Sequence, residues 1–540
     1  MTMLPSVILS IGISIGCILA ARILYHYFQL ESYQFPGYFK TIRRNLLKAV
    51  LPGATMAVLL GLAAVTGRAV FGESVLASAA VCLILIAGGF AAGKLYSEKK
   101  AKKPFVFTPR VKRLYAVSFI VLFILSFFLL RTMEPQTGLL SPRNRILAAL
   151  VLLFPAFLPC WIALCGLLAW PLEKLISEMY FQDARRILRS REDLIRIGIT
   201  GSWGKTSVKF ILGTLLEEKY HTLVTPASYN TPMGVTKVIR SRLEPSHRVF
   251  VAEMGARHVG DIREMCRLVR PQIGILTSVG PQHLDTFKTI ERVTKTKYEL
   301  IEALPEDGFA AFADDDGICL DLFNKTSLGK LMAGMHPERD DVWAEEACVT
   351  GEGSTFYLCT REFRQFCTTR LLGELNIRNI LLCAGVCLKL GMSGEQIARG
   401  IGKIQPVEHR LQLIANPGGL TVIDDAFNSN IRGAKQAFDV LKEMKGRRIL
   451  ITPGMVELGD QEAEMNREFG RMAAGCCDIA VLIGKKRSES IAEGLKEKGF
   501  PDESVYIAAS LDEATELLKK IAGKGDTVLF ENDLPDHYTE

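Results

Sequence analysis

Five apolar stretches, each long enough to cross a bilayer, lie before residue 175 and constrain this 540-residue chain more than any other feature. They run over residues 4–24, 47–70, 75–95, 114–130 and 146–170. The first lacks a basic leader and four more follow it, so it reads as an uncleaved helix rather than a signal peptide. A hydrophobic share of 49 % and a mean hydropathy of +0.20 are high for a wholly soluble chain, while 23 % charged residues leave room for a soluble part of ordinary composition.

Loop charges set the orientation. Lys40, Arg43, Arg44 and Lys48 follow the first stretch. Lys99, Lys100, Lys102, Lys103, Arg110, Lys112 and Arg113 follow the third, and Lys174, Arg185, Arg186, Arg189 and Arg191 follow the fifth. The two remaining loops are poorer in Lys and Arg, although Arg131, Arg143 and Arg145 blur the second. The pattern predicts a multi-pass cell-membrane protein with its N-terminus outside and everything after residue 170 in the cytoplasm. A four-span alternative flips the N-terminus and leaves the soluble part where it is. A net charge of +7 is modest at this length and gives no reason to expect nucleic acid. The 13 cysteines are scattered without a C-x-x-C pair, which points away from disulfides or zinc and toward a reducing compartment.

Residues 171–193 read as an amphipathic linker helix, with Leu172, Leu175, Ile176, Met179 and Tyr180 at helical spacing. From residue 194 short apolar runs alternate with helical patterns, the rhythm of βαβ units around a parallel sheet. One series has predicted strands at 194–199, 249–252 and 273–279, with a helix at 207–218. A second restarts near 404–410, with strands at 419–423, 448–452, 479–483 and 527–530 and helices through 434–444 and 462–474. The expected architecture is an N-terminal α-helical transmembrane region (1–175) followed by α/β. The α/β part divides into a P-loop ATPase-like central domain (176–405) and a Rossmann-like C-terminal domain (406–540).

The chemistry begins at Thr200-Gly201-Ser202-Trp203-Gly204-Lys205-Thr206. A strand, a Gly-rich turn, Lys-Thr and a helix in that order aim backbone N–H groups and a positive helix end at an anion. Lys205 is placed to reach the outer phosphates of a nucleotide, and the Thr206 hydroxyl to hold Mg²⁺. Ile199 stands where the general phosphate-loop pattern has its first Gly.

Further motifs follow in order. They are Ser228-Tyr229-Asn230-Thr231-Pro232-Met233-Gly234-Val235, Val251-Ala252-Glu253-Met254-Gly255-Ala256, and Thr277-Ser278-Val279-Gly280-Pro281-Gln282-His283-Leu284-Asp285. Then come Lys297-Tyr298-Glu299-Leu300, Gly373-Glu374-Leu375-Asn376-Ile377-Arg378-Asn379 and Pro406-Val407-Glu408-His409-Arg410-Leu411. The last two are Ile423-Asp424-Asp425-Ala426-Phe427-Asn428-Ser429-Asn430 and Gly454-Met455-Val456-Glu457-Leu458-Gly459. With the phosphate loop, this series resembles the Mur ligase family over about residues 194–530, and most closely its D-alanyl-D-alanine-adding branch.

The resemblance implies roles residue by residue. Thr200, Gly201, Ser202, Trp203, Gly204, Lys205 and Thr206 would hold ATP, with Asn379 near the adenine, Arg410 on the nucleotide and Asp425 contacting it once the C-terminal domain closes. Thr206, Glu253, His283 and Lys297 would surround Mg²⁺, two ions in the family's pattern, with Lys297 carbamylated by CO₂. Lys205, Lys297 and His283 would be catalytic. Asn428 and Asn430 would shape the loop after Asp425. The implied activity is ATP-dependent joining of a carboxylate to an amine in peptidoglycan precursor synthesis, through an acyl phosphate.

Several positions depart from the family pattern. Ser278 stands for Asn, Leu375 replaces a His, and the chain reads Phe530-Glu531-Asn532-Asp533-Leu534-Pro535-Asp536 where the branch carries a Lys-Gly-Ser-Arg stretch. The family's nucleotide-substrate domain is replaced by the apolar region. A cell-wall precursor held at the membrane is therefore the expected carboxylate substrate, with an amino acid or dipeptide as amine and the bilayer as partner. The oligomeric state stays open. Rival readings are a membrane-linked γ-glutamyl polymer synthase, a transporter driven by a P-loop ATPase, and a scaffold anchoring cell-wall enzymes. A transporter needs a Walker-B-type Asp and charged residues within its spans, and the sequence offers neither convincingly.

Overall fold

The computed structural model describes residues 3–71, 74–97, 104–132, 154–227, 229–314, 317–350, 353–415, 419–426, 431–456 and 461–532, with the single positions 146, 150 and 458. Two compact units divide at Glu178 and Met179.

The first unit is helical. Helices Met3–Ala20, Leu46–Phe71, Val75–Leu95 and Pro109–Arg131 follow four of the apolar stretches. The first of those stretches does not stay straight to residue 24. Its helix ends at Ala20, and Arg22–Leu30 forms another. The fifth stretch and the expected linker are one helix, Leu158–Arg189, with Pro171 inside it; residues 147–149 and 151–153 of that stretch lie outside the described ones. Among the described residues, five helices are long and apolar enough to cross a membrane.

Small residues set how closely these helices pack. A Cβ on Gly16 would lie 2.6 Å from the carbonyl oxygen of Leu85, and one on Gly89 would lie 2.2 Å from that of Gly16. This is the close backbone approach by which apolar helices associate when no hydrophobic gradient drives them together. Inside, Tyr25, Tyr27, Phe28 and Tyr38 are fully buried. Outside, Leu76 is 81 % exposed, Leu83 68 % and Phe90 60 %, an apolar surface that water disfavours. Glu173 takes a two-pronged bond from Arg113, at 2.5 and 2.8 Å, which satisfies a buried carboxylate among apolar helices.

The second unit carries two sheets. The first has nine strands in the order β2-β3-β1-β4-β5-β6-β7-β8-β9. Its strands are β1 Ile195–Thr200, β2 Thr222–Val224, β3 Val249–Glu253, β4 Ile273–Leu276, β5 Phe309–Ala313, β6 Gly329–Gly334, β7 Val342–Thr350, β8 Gly353–Cys359 and β9 Arg364–Thr369. Strands β2 to β6 run parallel with β1, and β7 is parallel to β6. The last two pairings are antiparallel. The central strands are buried on both faces, as helix-covered parallel strands must be.

The second sheet has six strands in the order β10-β11-β15-β12-β13-β14. They are β10 Gln412–Ala415, β11 Thr421–Asp425, β12 Arg448–Thr452, β13 Ile479–Ile483, β14 Val505–Ala508 and β15 Thr527–Glu531. All run parallel except β10 at the edge. Register is what positions the site. Ile199 of β1 pairs with Glu253 of β3, and Thr200 pairs with Leu276 of β4. The turn after β1, the end of β3 and the loop after β4 therefore meet at one edge, where ligands bind in open parallel sheets.

Candidate active site

The turn after β1 is built for close approach. Gly201 has φ +153°, and a Cβ there would lie 2.1 Å from the Thr277 hydroxyl oxygen. Gly204 has φ +79° and opens the helix Lys205–Leu216. Both positions require glycine, one by contact and one by its left-handed backbone. The loop after β4 braces this turn. Ser202 N–H donates to the Ser278 carbonyl at 2.9 Å, its hydroxyl donates to the Gly280 carbonyl at 2.9 Å, and Trp203 N–H donates to the Ser278 hydroxyl at 2.9 Å. The Trp203 ring lies against Gly280, where a Cβ would come within 2.1 Å of it. Ser278, which replaces an Asn of the family pattern, thus acts as a clasp on the turn.

Lys205 folds back, its ammonium donating to the carbonyls of Gly201 at 2.6 Å and Ser202 at 2.9 Å. Burial lowers its pKa to about 8; Glu253 pulls the other way, and Arg410 adds repulsion. The Thr206 hydroxyl lies 3.1 and 3.2 Å from the two carboxylate oxygens of Glu253. Glu253 itself is 1 % exposed. It accepts from Lys209 at 3.0 Å and from the Asn230 side chain at 3.1 Å. Burial alone raises its pKa, but the charges of Lys209 and Lys205 outweigh that, and the net direction is down. It is ionised at neutral pH.

Lys297, on the helix Ile290–Glu302, is 1 % exposed. Its pKa is driven well down, first by burial and then by Lys205, with Asp261 opposing. Among the described residues no carboxylate lies within ion-pair distance of it. That shift favours the unprotonated amine, the form in which a lysine is a nucleophile.

Lys209 was not singled out in the sequence, although it follows Lys205 by four and so shares its helix face. Asn230 lay within a motif without a role, and here it ties the segment after β2 to Glu253. Lys205 and Lys209 thus gather around one carboxylate, leaving a positive surplus that suits phosphate.

The remaining expected residues fall in different relations to this centre. Asn379 is 5 % exposed, with its amide oxygen 3.2 Å from where a Cβ on Gly204 would stand. It borders the phosphate loop. Arg410 shares electrostatic influence with Asp425, Glu253 and Lys205, so the segment between the sheets reaches the loop. Asp425 ends β11 and accepts from Leu411 N–H at 3.1 Å. Burial raises its pKa to about 6 despite that bond and Arg410. His283 is half-buried with φ +52°, and its carbonyl accepts from Thr286 and Phe287 at the start of the helix Leu284–Phe287. Among the described residues no three His, Cys, Asp or Glu converge on a metal-sized point. What the structure brings together is the Thr206–Glu253 oxygen pair. Ser228, Asn428, Asn430, Glu457 and Gly459 lie outside the described residues.

That oxygen pair allows a test of fit for Mg²⁺. Two neighbouring ligands of an octahedral Mg²⁺ stand about 2.9 Å apart, given metal–oxygen distances of about 2.0–2.1 Å. The observed separations of 3.1 and 3.2 Å are close to that spacing, and both are hard oxygens. Lys209 competes for one of them.

Comparison with known proteins places these features. A family profile described as Mur ligase middle domain matches residues 199–387, and one described as Mur ligase, glutamate ligase domain matches 409–531. The UDP-N-acetylmuramoyl-tripeptide–D-alanyl-D-alanine ligase of Escherichia coli (strain K12) is 29 % identical over 351 residues, 63 % of this chain and 77 % of the relative. The enzyme of the same description from Mycobacterium bovis is 30 % identical over 357 residues, 62 % of this chain and 69 % of the relative. A crystal structure of MurF from Acinetobacter baumannii superposes with a TM-score of 0.60 at 25 % identity, covering 66 % of this chain and 77 % of that one.

Proposed function

The chain belongs to the Mur ligase family, an ATP-dependent ligase of peptidoglycan precursor synthesis, and we propose that its site joins a carboxylate to an amine as follows. The observation that carries the reading is the buried Glu253 carboxylate, tied to Thr206, Lys209 and Asn230 and set beside Lys205, whose charge in turn helps to lower the pKa of Lys297.

A carboxylate is too poor an electrophile to form an amide directly. Phosphorylation supplies a leaving group, and this site is arranged for phosphate. The turn 200–206 and the start of the helix Lys205–Leu216 point N–H donors at the nucleotide's phosphates. Lys205 exchanges its bonds to Gly201 and Ser202 for the transferring phosphoryl group and neutralises charge that builds there. The acceptor carboxylate attacks the terminal phosphorus and the bond to the ADP oxygen breaks. The amine then attacks the acyl carbon, its proton departs, and phosphate leaves. Thr206 and Glu253 would hold Mg²⁺, with His283 and Lys297 as further contacts; bound there it supplies positive charge against the anionic reactants. With its pKa driven down, the Lys297 amine in its unprotonated form can add to CO₂ and lose a proton, which converts a would-be cation into an oxygen ligand. Arg410, Asn379 and Asp425 would line the nucleotide's remaining surface.

The first unit would span the bilayer several times, with the ligase on the cytoplasmic side. Its exposed Leu76, Leu83 and Phe90 and the loop cations support this. The apolar unit stands where the family has a nucleotide-substrate domain, so the substrate would be a precursor held at the membrane. The curated relatives' names give UDP-muramoyl-tripeptide and D-alanyl-D-alanine as the reactants to try first. The test is phosphate release by the purified full chain. It should require both a carboxylate and an amine reactant, and Lys205→Ala should abolish it. Release that survives this change would contradict the site.

A further inference from the structure

A second concentration of positive charge lies at the opposite edge of the first sheet. Arg185, Arg189, Arg196, Arg263, Arg267 and Arg270 line a cleft of about 820 Å³ with one carboxylate, Glu192, among them. Arg196 is in the first turn of residues in β1, and Gly201 follows that strand's other end. Five residues of strand put roughly 17 Å between this cleft and the phosphate loop. The cleft is therefore separate from the nucleotide site.

The bland explanation is that these arginines complement helix C-termini. Three helices end at the cleft: Leu158–Arg189, Asp261–Val269 and Ile290–Glu302. Each carries about half a negative charge at that end. Arg196 does have an internal role, donating to the carbonyls of Arg270 at 3.0 Å and of Leu188 and Arg191 at 3.4 Å. Arg263 stands 3.9 Å from both Glu299 and Glu302. Even with Arg263 counted as paired, Glu192 cancelling one charge and the three helix ends offsetting about one and a half, a surplus of about two and a half positive charges remains.

Of the other arginines, Arg185 reaches the Gln182 side chain at 3.5 Å. Among the described residues no carboxylate lies within ion-pair distance of Arg185, Arg189, Arg267 or Arg270. The Nε of Arg185 is buried and meets no acceptor among them. Arg270 caps its helix at φ +51°, a left-handed position that glycine fills without strain. An arginine there puts another cation into the cleft at a backbone cost. The Arg196 guanidinium is pushed below its ordinary pKa by burial and then by Arg270, as expected where like charges are crowded together.

Guanidinium groups match phosphate oxygens in two-pronged geometry, and a surplus of this size suits a dianion rather than a single phosphodiester. The source of the dianion follows from the helix that carries Arg185 and Arg189. Its earlier turns are the fifth apolar stretch, and basic pockets just beyond membrane helices bind lipid headgroups. We propose that this cleft binds the dianionic phosphate group of a membrane lipid, a phosphomonoester or diphosphate, and so holds the lipid on the ligase unit away from the nucleotide site. The proposal rests on the membrane reading of the first unit.

The test uses the full chain in detergent micelles, with binding measured for phosphatidic acid, phosphatidylcholine and inorganic pyrophosphate. Arg189 and Arg267 are exposed and outside the nucleotide site, so R189E/R267E should fold and keep ATP-dependent phosphate release. The wild type should prefer phosphatidic acid to phosphatidylcholine. The variant should bind phosphatidic acid about thirtyfold more weakly or worse, at about a fivefold loss for each arginine removed. Equal binding by both forms would overturn the proposal. Displacement of phosphatidic acid by pyrophosphate, with pyrophosphate bound as tightly, would overturn the lipid source and leave a soluble phosphate ligand. A chain that leaves the membrane fraction without detergent would overturn the membrane reading and the lipid source together. A chain that needs detergent yet binds phosphatidic acid equally in both forms would overturn the cleft alone.

Discussion

The Lys209–Glu253 pair gives the sharpest prediction about how the site is held. The two side chains are 0 % and 1 % exposed and 3.0 Å apart. Lys209→Met removes the cation and leaves a buried carboxylate with only Thr206 and Asn230 as donors. Breaking a buried pair by removing one partner costs about 3–5 kcal/mol, most of it the desolvation of the charge left behind. For a unit of this size that corresponds to a melting point lower by roughly 4–7 °C. Adding Glu253→Gln should recover most of the loss, because glutamine keeps an acceptor for Thr206 without the charge. A remainder of about 1 kcal/mol should persist, since the Ala227 carbonyl also loses its Lys209 donor. The assay is thermal unfolding of the full chain in detergent, followed by tryptophan fluorescence with the single and double variants side by side. Glu253 adds a pH signature. Its pKa is depressed in the folded chain, so the stability it contributes is present above the ordinary carboxylate range and lost as pH falls through the lower folded value. In Lys209→Met the main opposing charge is gone and burial pushes the carboxyl's pKa up, so lowering the pH should relieve part of the destabilisation instead of adding to it. A single variant as stable as the wild type, or a double variant no better than the single, would refute this reasoning.

Other consequences are equally direct. Lys205 titrates at about 8, so the charge facing the phosphates is lost as pH rises through that value; nucleotide affinity, measured by calorimetry, should fall above pH 8, and this alkaline limb should be absent in Lys205→Arg. Asp425 titrates at about 6, so phosphate release should decline as pH falls through 6, and Asp425→Asn should remove that acid limb. Gly280→Ala forces the Trp203 ring aside, which should cost about 1–3 kcal/mol and shift the tryptophan emission; unchanged emission would contradict the packing. Lys297→Ala should abolish ligation, and an added small carboxylic acid should restore part of it if the modified lysine's role is to present an anionic oxygen.

Much of this was legible in the sequence because the signals were local. Apolar length marked the long apolar helices, and the strands β12 and β13 fall where their β-branched runs predicted. Glu253 stood out because it ends an apolar run, and the parallel register with β1 explains why that end matters. What escaped was set by tertiary context. The pair β8 and β9 carries Thr, Tyr, Arg and Gln among its apolar residues, so its antiparallel ladder has a weak periodic signature. Lys209 carries no motif of its own, because only the placement of β3 sets Glu253 against its helix. The expected linker merged with the fifth span because Pro171 follows a continuous helical pattern on both sides and bends nothing enough to end it. The His283 motif spoke only for its side chain, and the service of its carbonyl at the start of a short helix has no signature in the sequence. The arginine cleft is assembled from a helix end, a strand start and a C-cap far apart in the chain, so no single window reveals it.

The central claim is that a carboxylate is activated by phosphorylation before the amine attacks. It is tested most directly by labelling the carboxylate of UDP-muramoyl-tripeptide with ¹⁸O and analysing the phosphate released when the full chain turns over with ATP and D-alanyl-D-alanine. An acyl phosphate transfers one labelled oxygen to each phosphate, and that is the result predicted here. Turnover that releases only unlabelled phosphate would contradict it.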